Sequence, residues 1–148
     1  MNAIRPATPA DFASLVLIWE SSVRATHDFL AEADIDFYRP LVLTYLPTLS
    51  VHCFVMKSGQ IAGFIAVGGD QIEMLFVAAD MRGQGVGKTL LAYAIDHLGA
   101  TRVDVNEQNT HAVDFYRHAG FRVTARSLLD GTGKAFPLLH MSVAPAIS

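Results

Sequence analysis

One cysteine, Cys53, occurs in 148 residues. A single thiol excludes an internal disulfide and any cysteine-rich metal site. Basic charge is also scarce: 11 Lys and Arg stand against 14 Asp and Glu, for a net charge of −3. A broad basic surface for nucleic acid is therefore not expected. No run of about 18 apolar residues exists, which excludes a membrane-spanning helix. The opening MNAIRPATPADF lacks the apolar stretch of a secretory signal. The histidines do not make a metal set. His111 and His118 are seven apart on one predicted helix, too far for an i, i+4 pair, and His52, His97 and His140 are scattered. The expectation is a soluble cytoplasmic protein without a metal.

Against these absences, 51% of the chain is hydrophobic and only 17% charged. That suits one domain with a sizeable core. NAIRPA reads as a strand. TPADFASLVLIWESSVRA reads as a helix, with Thr8 at the cap, Pro9 at the first helical position and Asp11 completing a capping-box-like start. Leu15, Ile18, Trp19 and Ser22–Val23 follow a helical spacing. A second helix ends near Pro47. VHCFVMK and QIAGFIAVGG form a hairpin, and QIEMLFVA is a further strand. A helix, VGKTLLAYAIDHL, stops at Gly99; RVDVNE is a strand; NTHAVDFYRHA is a helix ended by Gly120. FRVTARSLLD and AFPLLHMSVA are the last strands, joined through GTGK. The order is β-α-α-β-β-β-α-β-α-β-β, a mixed sheet. Cys53 falls in an apolar strand, where packing is its expected role.

The segment MRGQGVGKTLL, residues 81–91, joins a strand to a helix through three glycines, 83, 85 and 87. A helix start has unpaired N–H groups and a partial positive charge, and glycines let an anion approach them. A triphosphate loop would need Gly where Arg82 stands. A dinucleotide fingerprint needs G-x-G-x-x-G, and the spacing here is G-x-G-x-G. The pattern R/Q-x-x-G-x-G/A of a coenzyme A pyrophosphate cradle is met in register by Arg82, Gly85 and Gly87. A ligand-free glycine turn is the remaining reading of this segment alone.

Further along, NEQNTHAVDFYRHAGF at 106–121 contains N-x-x-A-x-x-F-Y-x-x-x-G-F. Together the two motifs resemble the GNAT superfamily of acetyl-CoA-dependent N-acetyltransferases. ATHDFL, VNEQN and GKAFPLL extend the likeness to its small bacterial YjaB-type members. The resemblance implies a single domain over residues 1–148, with an α/β (α+β) fold. Its mixed, mostly antiparallel central sheet would have about seven strands, flanked by about four helices. The implied activity is direct acetyl transfer from acetyl-CoA to an amine, through a tetrahedral intermediate.

The same resemblance assigns residues. Main-chain N–H groups of Arg82, Gly83, Gln84, Gly85, Val86, Gly87 and Lys88 would hold the pyrophosphate. Leu75, Phe76 and Val77 would pair with the pantetheine arm as an extra strand. Asn109 would contact the arm, cap its helix, or both. Phe115 would pack against the arm or the core. Tyr116 would be the general acid for the leaving thiolate, the alternative being a half-buried core tyrosine. Deprotonating an ordinary amine at pH 7 costs roughly 4.6 kcal/mol. Glu73 and Asp104 are the candidate bases, Glu73 being favoured, and a water chain could replace both. His27, Asp28, Phe29 and Tyr38 would line the acceptor pocket, in a stretch made acidic by Asp28, Glu32, Asp34 and Asp36. The acceptor would be a small-molecule or protein amine, and a homodimer through edge strands is an option of the fold. A non-catalytic acyl-CoA-binding module is the alternative reading, and a nucleotide phosphohydrolase is the third.

Overall fold

The computed structural model describes residues 3–144. β1 (Ala3–Pro6) leads through a 3-10 turn at Pro9–Asp11 into α1 (Phe12–Thr26) and α2 (Glu32–Tyr45). β2 (Ser50–Val55), β3 (Ile61–Gly68) and β4 (Gln71–Val77) follow as a meander. α3 (Val86–His97), β5 (Arg102–Asn106), α4 (Thr110–His118), β6 (Arg122–Ser127) and β7 (Leu138–Ser142) complete the chain. The order of elements is the expected one. Boundaries shift by a residue or more at several elements, and two of the shifts have a clear cause. The first helix starts with the 3-10 turn, because the Asp11 carboxylate accepts from the Thr8 N–H at 2.8 Å and tightens the entry. The last hairpin is joined by a longer excursion than GTGK. Asp130 Oδ1 accepts from the Thr132 and Lys134 amides at 2.9 and 3.0 Å, which folds residues 128–137 into a loop and delays β7 to Leu138.

The sheet runs β1-β2-β3-β4-β5-β7-β6. Every neighbouring pair is antiparallel except β4 and β5, which are parallel. One core lies under α3 and α4. There Leu90, Leu91 and Ala94 of α3 and Val113 and Tyr116 of α4 meet Ile65, Ile72, Val103 and Met141. The other lies under α1 and α2, where Leu15, Ile18, Trp19 and Val23 meet Cys53, Phe64 and Ala66. Each fully buried Val, Leu, Ile, Phe or Met side chain among them stabilises the fold by about 1.5–3 kcal/mol. Burial pushes the Cys53 thiol up to about 11, in keeping with a packed residue. α1 and α2 are also tied across their surface: Glu20 accepts from both Arg24 and Arg39.

Two features of β4 position the site. A Cβ at Gly63 of β3 would lie 2.8 Å from the Phe76 carbonyl and 3.1 Å from Val86. Only glycine lets the start of α3 press this closely on the sheet. Along β4 the register with β3 jumps from Ala66↔Met74 to Val67↔Ile72, leaving Glu73 as an unpaired bulge residue. Pairing of β4 with β5 covers only Gln71↔Arg102 and Ile72↔Val103. Beyond Ile72 the two strands part.

Candidate active site

The splay of β4 and β5 opens a cleft of about 550 Å³, within the range of small-molecule sites. One wall is β4 from Ile72 to Val77, and the other is Val103–Asn106 of β5. β4 is paired with β3 up to Val77 but with β5 only to Ile72, so one side of its backbone is open toward the cleft. Leu75 and Val77 pack with the α3–α4 core, and Phe76 with the α1–α2 core, so both faces of this wall are fixed by burial.

At one end stands the glycine loop. Gly83 and Gly85 have φ of +79° and +80°, and Gly85 is the N-cap of α3. A side chain at Gly85 would meet open space yet be strained by the backbone it must adopt. Gly87 has no such φ. A Cβ there would stand 3.5 Å from Val77 and 3.6 Å from Phe115, an ordinary contact. Arg82, Gly83, Gly85, Val86, Gly87 and Lys88 all line the cleft. Gln84 is not part of the lining; its amide reaches the Met81 sulfur at 4.0 Å. The loop therefore offers the helix-start amides and left-handed glycines that an anion cradle requires.

α4 closes the cleft from the side. Asn109 is its N-cap, with Oδ1 accepting from the Ala112 N–H at 3.1 Å. The other end of that amide meets His27 Nε2 at 3.3 Å. The His27 tautomer follows from its neighbours. Thr26 Oγ1 donates to the Ser22 carbonyl at 2.8 Å, so it accepts from His27 Nδ1–H, also at 2.8 Å. Nε2 is then the acceptor for the Asn109 amide. Burial lowers the His27 pKa to about 4 and keeps the ring neutral. Phe115 packs beside Gly87, and Tyr116 is sandwiched edge-on between Phe115 and Phe121. Burial alone raises the Tyr116 phenol, which lines the cleft as a protonated O–H donor.

At the opposite end, Glu73 and Asp104 both line the cleft. Burial first, and the Asp104 charge second, push the Glu73 carboxyl above its usual range. Of the four residues expected to shape the acceptor pocket, the structure brings only His27 to the cleft lining. Asp28 is exposed. Phe29 stacks obliquely between His27 and Phe136, with centroids at 5.2 and 5.7 Å. The Tyr38 hydroxyl donates to Asp130. Nor is the surrounding acidic stretch a free field of charge. Glu32 pairs with Arg24, Asp34 with Lys134 at 3.1 Å, and Asp36 with Arg39 at 2.9 Å. The carboxylates that face the cleft come from the sheet instead. Among the described residues no group of three His, Cys, Asp or Glu could hold a metal ion, and no helix is long and apolar enough to cross a membrane.

Sequence reading did not foresee the loop 128–137 as a neighbour of α2, nor His140, whose ring lies against Asp104. The alternation of β7 puts His140 on the face away from Leu139 and Met141, but the strand pairing that brings it to Asp104 is not local.

The model of the acetyltransferase (GNAT) domain matches residues 45–143. The chain is 40% identical over 141 residues to the peptidyl-lysine N-acetyltransferase YjaB of Salmonella typhimurium, covering 95% of this chain and 97% of that one. It is 38% identical to YjaB of Escherichia coli, over 97% and 98% of the two chains. The solution structure of apo-form YjaB from Escherichia coli superposes with a TM-score of 0.89, covering 99% of each chain. A cleft between splayed parallel strands, a glycine loop at a helix start and these matches lead to one conclusion: the chain belongs to the GNAT acetyltransferase family.

Proposed function

We propose that this acetyltransferase moves the acetyl group of acetyl-CoA directly onto the ε-amine of a lysine in a protein. The lysine acceptor is suggested by relatives that act on peptidyl-lysine. The observation that carries the mechanism is the buried Tyr116 phenol lining a cleft whose ends are an anion cradle and a carboxylate pair.

The amides from Arg82 to Lys88 hold the pyrophosphate, and Gly85 lets it approach. The open edge of Leu75, Phe76 and Val77 pairs with the arm's amides, and Asn109 lends its remaining N–H. The thioester carbon then lies between Tyr116 and the carboxylates. The acceptor ammonium enters beside Glu73 and Asp104 and gives up a proton there, Glu73 being the better base because its carboxyl is raised. The neutral amine attacks the carbonyl carbon. A main-chain N–H of β4 near Leu75–Val77 holds the oxyanion. As the C–S bond breaks, the thiolate takes the Tyr116 proton, and the proton that the cationic nitrogen of the adduct sheds on becoming the amide returns through water to the phenolate. Cys53, buried on β2, plays no covalent part.

β6 is an edge of the sheet and exposed on both faces, which makes it the surface through which two copies would pair. The test of the main reading is thiol release from acetyl-CoA in the presence of a lysine peptide, with ATP–magnesium as a control ligand in thermal shift. Turnover with the peptide is the expected result. Tight coenzyme A binding without turnover on any amine would favour the acyl-CoA-binding module.

A further inference from the structure

Three polar side chains stand in a row across β5, β7 and β6. Asp104 and His140 are cross-strand partners. His140 Nδ1 lies 2.6 Å from Asp104 Oδ1, and its Nε2 lies 2.6 Å from Ser127 Oγ. A carboxylate only accepts, so Nδ1 carries the proton, and Nε2 of the neutral ring accepts from the Ser127 hydroxyl. The chemistry is that of a Ser-His-Asp chain, but its direction relative to the cleft is reversed. Asp104 lines the cleft and Ser127 does not. The working end is the carboxylate. Asp104 has one oxygen held by His140 and makes no other hydrogen bond among the described residues, so its second oxygen is available to a ligand.

The nearest cations have partners of their own, and Asp104 acts on Glu73 and Arg102 only through its charge. Glu73 of β4 is the other carboxylate of the cleft. Arg102 of β5 is paired with Asp70 at 2.8 Å, and Arg126 of β6 with Glu107 at 2.6 Å. In the adjoining loop, Asp130 accepts from Tyr38 and Lys134 pairs with Asp34. The charge partner of the His140 ring is therefore Asp104, with the neutral Ser127 hydroxyl on its other side.

We propose that His140 is a positioning residue for acceptor capture: it fixes the Asp104 carboxylate so that its free oxygen receives the ammonium group of the incoming lysine. The inference rests on the acetyl-transfer reading, and deepens it by naming the recognition element.

The experiment is steady-state thiol release with a lysine peptide at pH 8, where an ordinary lysine is still charged. Calorimetry with acetyl-CoA is run in parallel on wild type, His140→Ala and His140→Gln. His140→Ala is expected to raise the peptide KM about tenfold at pH 8 with acetyl-CoA affinity unchanged. His140→Gln, which keeps an N–H donor for the carboxylate, is expected to stay within about twofold of wild type. A wild-type KM in His140→Ala, a tenfold KM rise retained in His140→Gln, or acetyl-CoA affinity lost with His140→Ala would each overturn the proposal while leaving acetyl transfer standing. No thiol release by wild type with any amine would overturn both.

Discussion

At the proposed cofactor end of the cleft, the lining residues come from one stretch of chain, Arg82 to Lys88. At the proposed acceptor end the lining carboxylates come from separate strands, Glu73 on β4 and Asp104 on β5, with His140 of β7 behind the second. The first end works through backbone conformation, the second through side-chain chemistry. The two ends should therefore fail differently. A substitution at the loop acts by what φ it tolerates. A substitution at the carboxylates acts by what proton it can carry.

The largest expected effect tests the loop. Gly85 sits at φ +80°, which a β-branched residue adopts only under strain of about 1–3 kcal/mol. Gly85→Val should therefore weaken acetyl-CoA binding by roughly a hundredfold in calorimetry, with strain and blocked approach adding together. Gly87→Ala is the contrast: ordinary φ and ordinary contacts with Val77 and Phe115 predict an affinity within a few-fold of wild type. Equal losses in the two variants would mean that bulk, not backbone conformation, governs the cradle.

Next in size is Tyr116→Phe. It keeps the edge-on packing with Phe115 and Phe121 and removes only the donor. Turnover should fall by about 10²-fold while acetyl-CoA affinity stays as it was, because loss of a general acid acts on the transition state. Unchanged turnover would remove the phenol from the mechanism. Glu73→Gln should follow, with kcat/KM down by about tenfold and its alkaline rise flattened. The sign follows from the raised carboxyl: Glu73 is protonated to a higher pH than an ordinary glutamate, so wild-type activity climbs as it ionises. A rise retained in Glu73→Gln would move the base role to Asp104 or to water.

The same contrast explains what could be read from the sequence. The elements were legible because their signals are local: Leu15, Ile18, Trp19 and Val23 at helical spacing, Gly99 and Gly120 after helices, alternation along β5. The glycine loop was legible because its residues are contiguous and its glycines have conformational meaning. The acceptor end was not, because its geometry depends on strand register. That Asp104 lies opposite His140, and that β4 leaves Glu73 unpaired, are facts of pairing between distant segments. The acidic run from Glu32 to Asp36 was ambiguous for a related reason. Its partners, Arg24, Arg39 and Lys134, lie up to a hundred residues away, and their pairing uses charge that the sequence left looking free.

One residue ties α1 to the start of α4 beside the cleft, and its variant should have the smallest effect. His27 takes both its hydrogen bonds as a neutral ring, one to Thr26 on its own helix and one to Asn109 at the start of α4. His27→Phe keeps a ring beside Phe29 but leaves the Asn109 amide short of a partner. At pH 8 it should destabilise the protein by about 1 kcal/mol, the net value of such a bond. The pH dependence gives the sharper test. In the folded protein the His27 pKa is about 4, below the unfolded value of 6.5. The unfolded chain therefore takes up a proton first as pH falls. The stability that neutral His27 supplies is fully present above about 6.5 and is lost on descending toward 4. From pH 8 to pH 5 wild type should lose about 2 kcal/mol on this account alone. His27→Phe carries no such proton, so urea melts of the two should converge and then cross near pH 5–6. Parallel melts across that range would mean that His27 is charged in the fold, and that the bridge between α1 and Asn109 is not the neutral one its neighbours dictate.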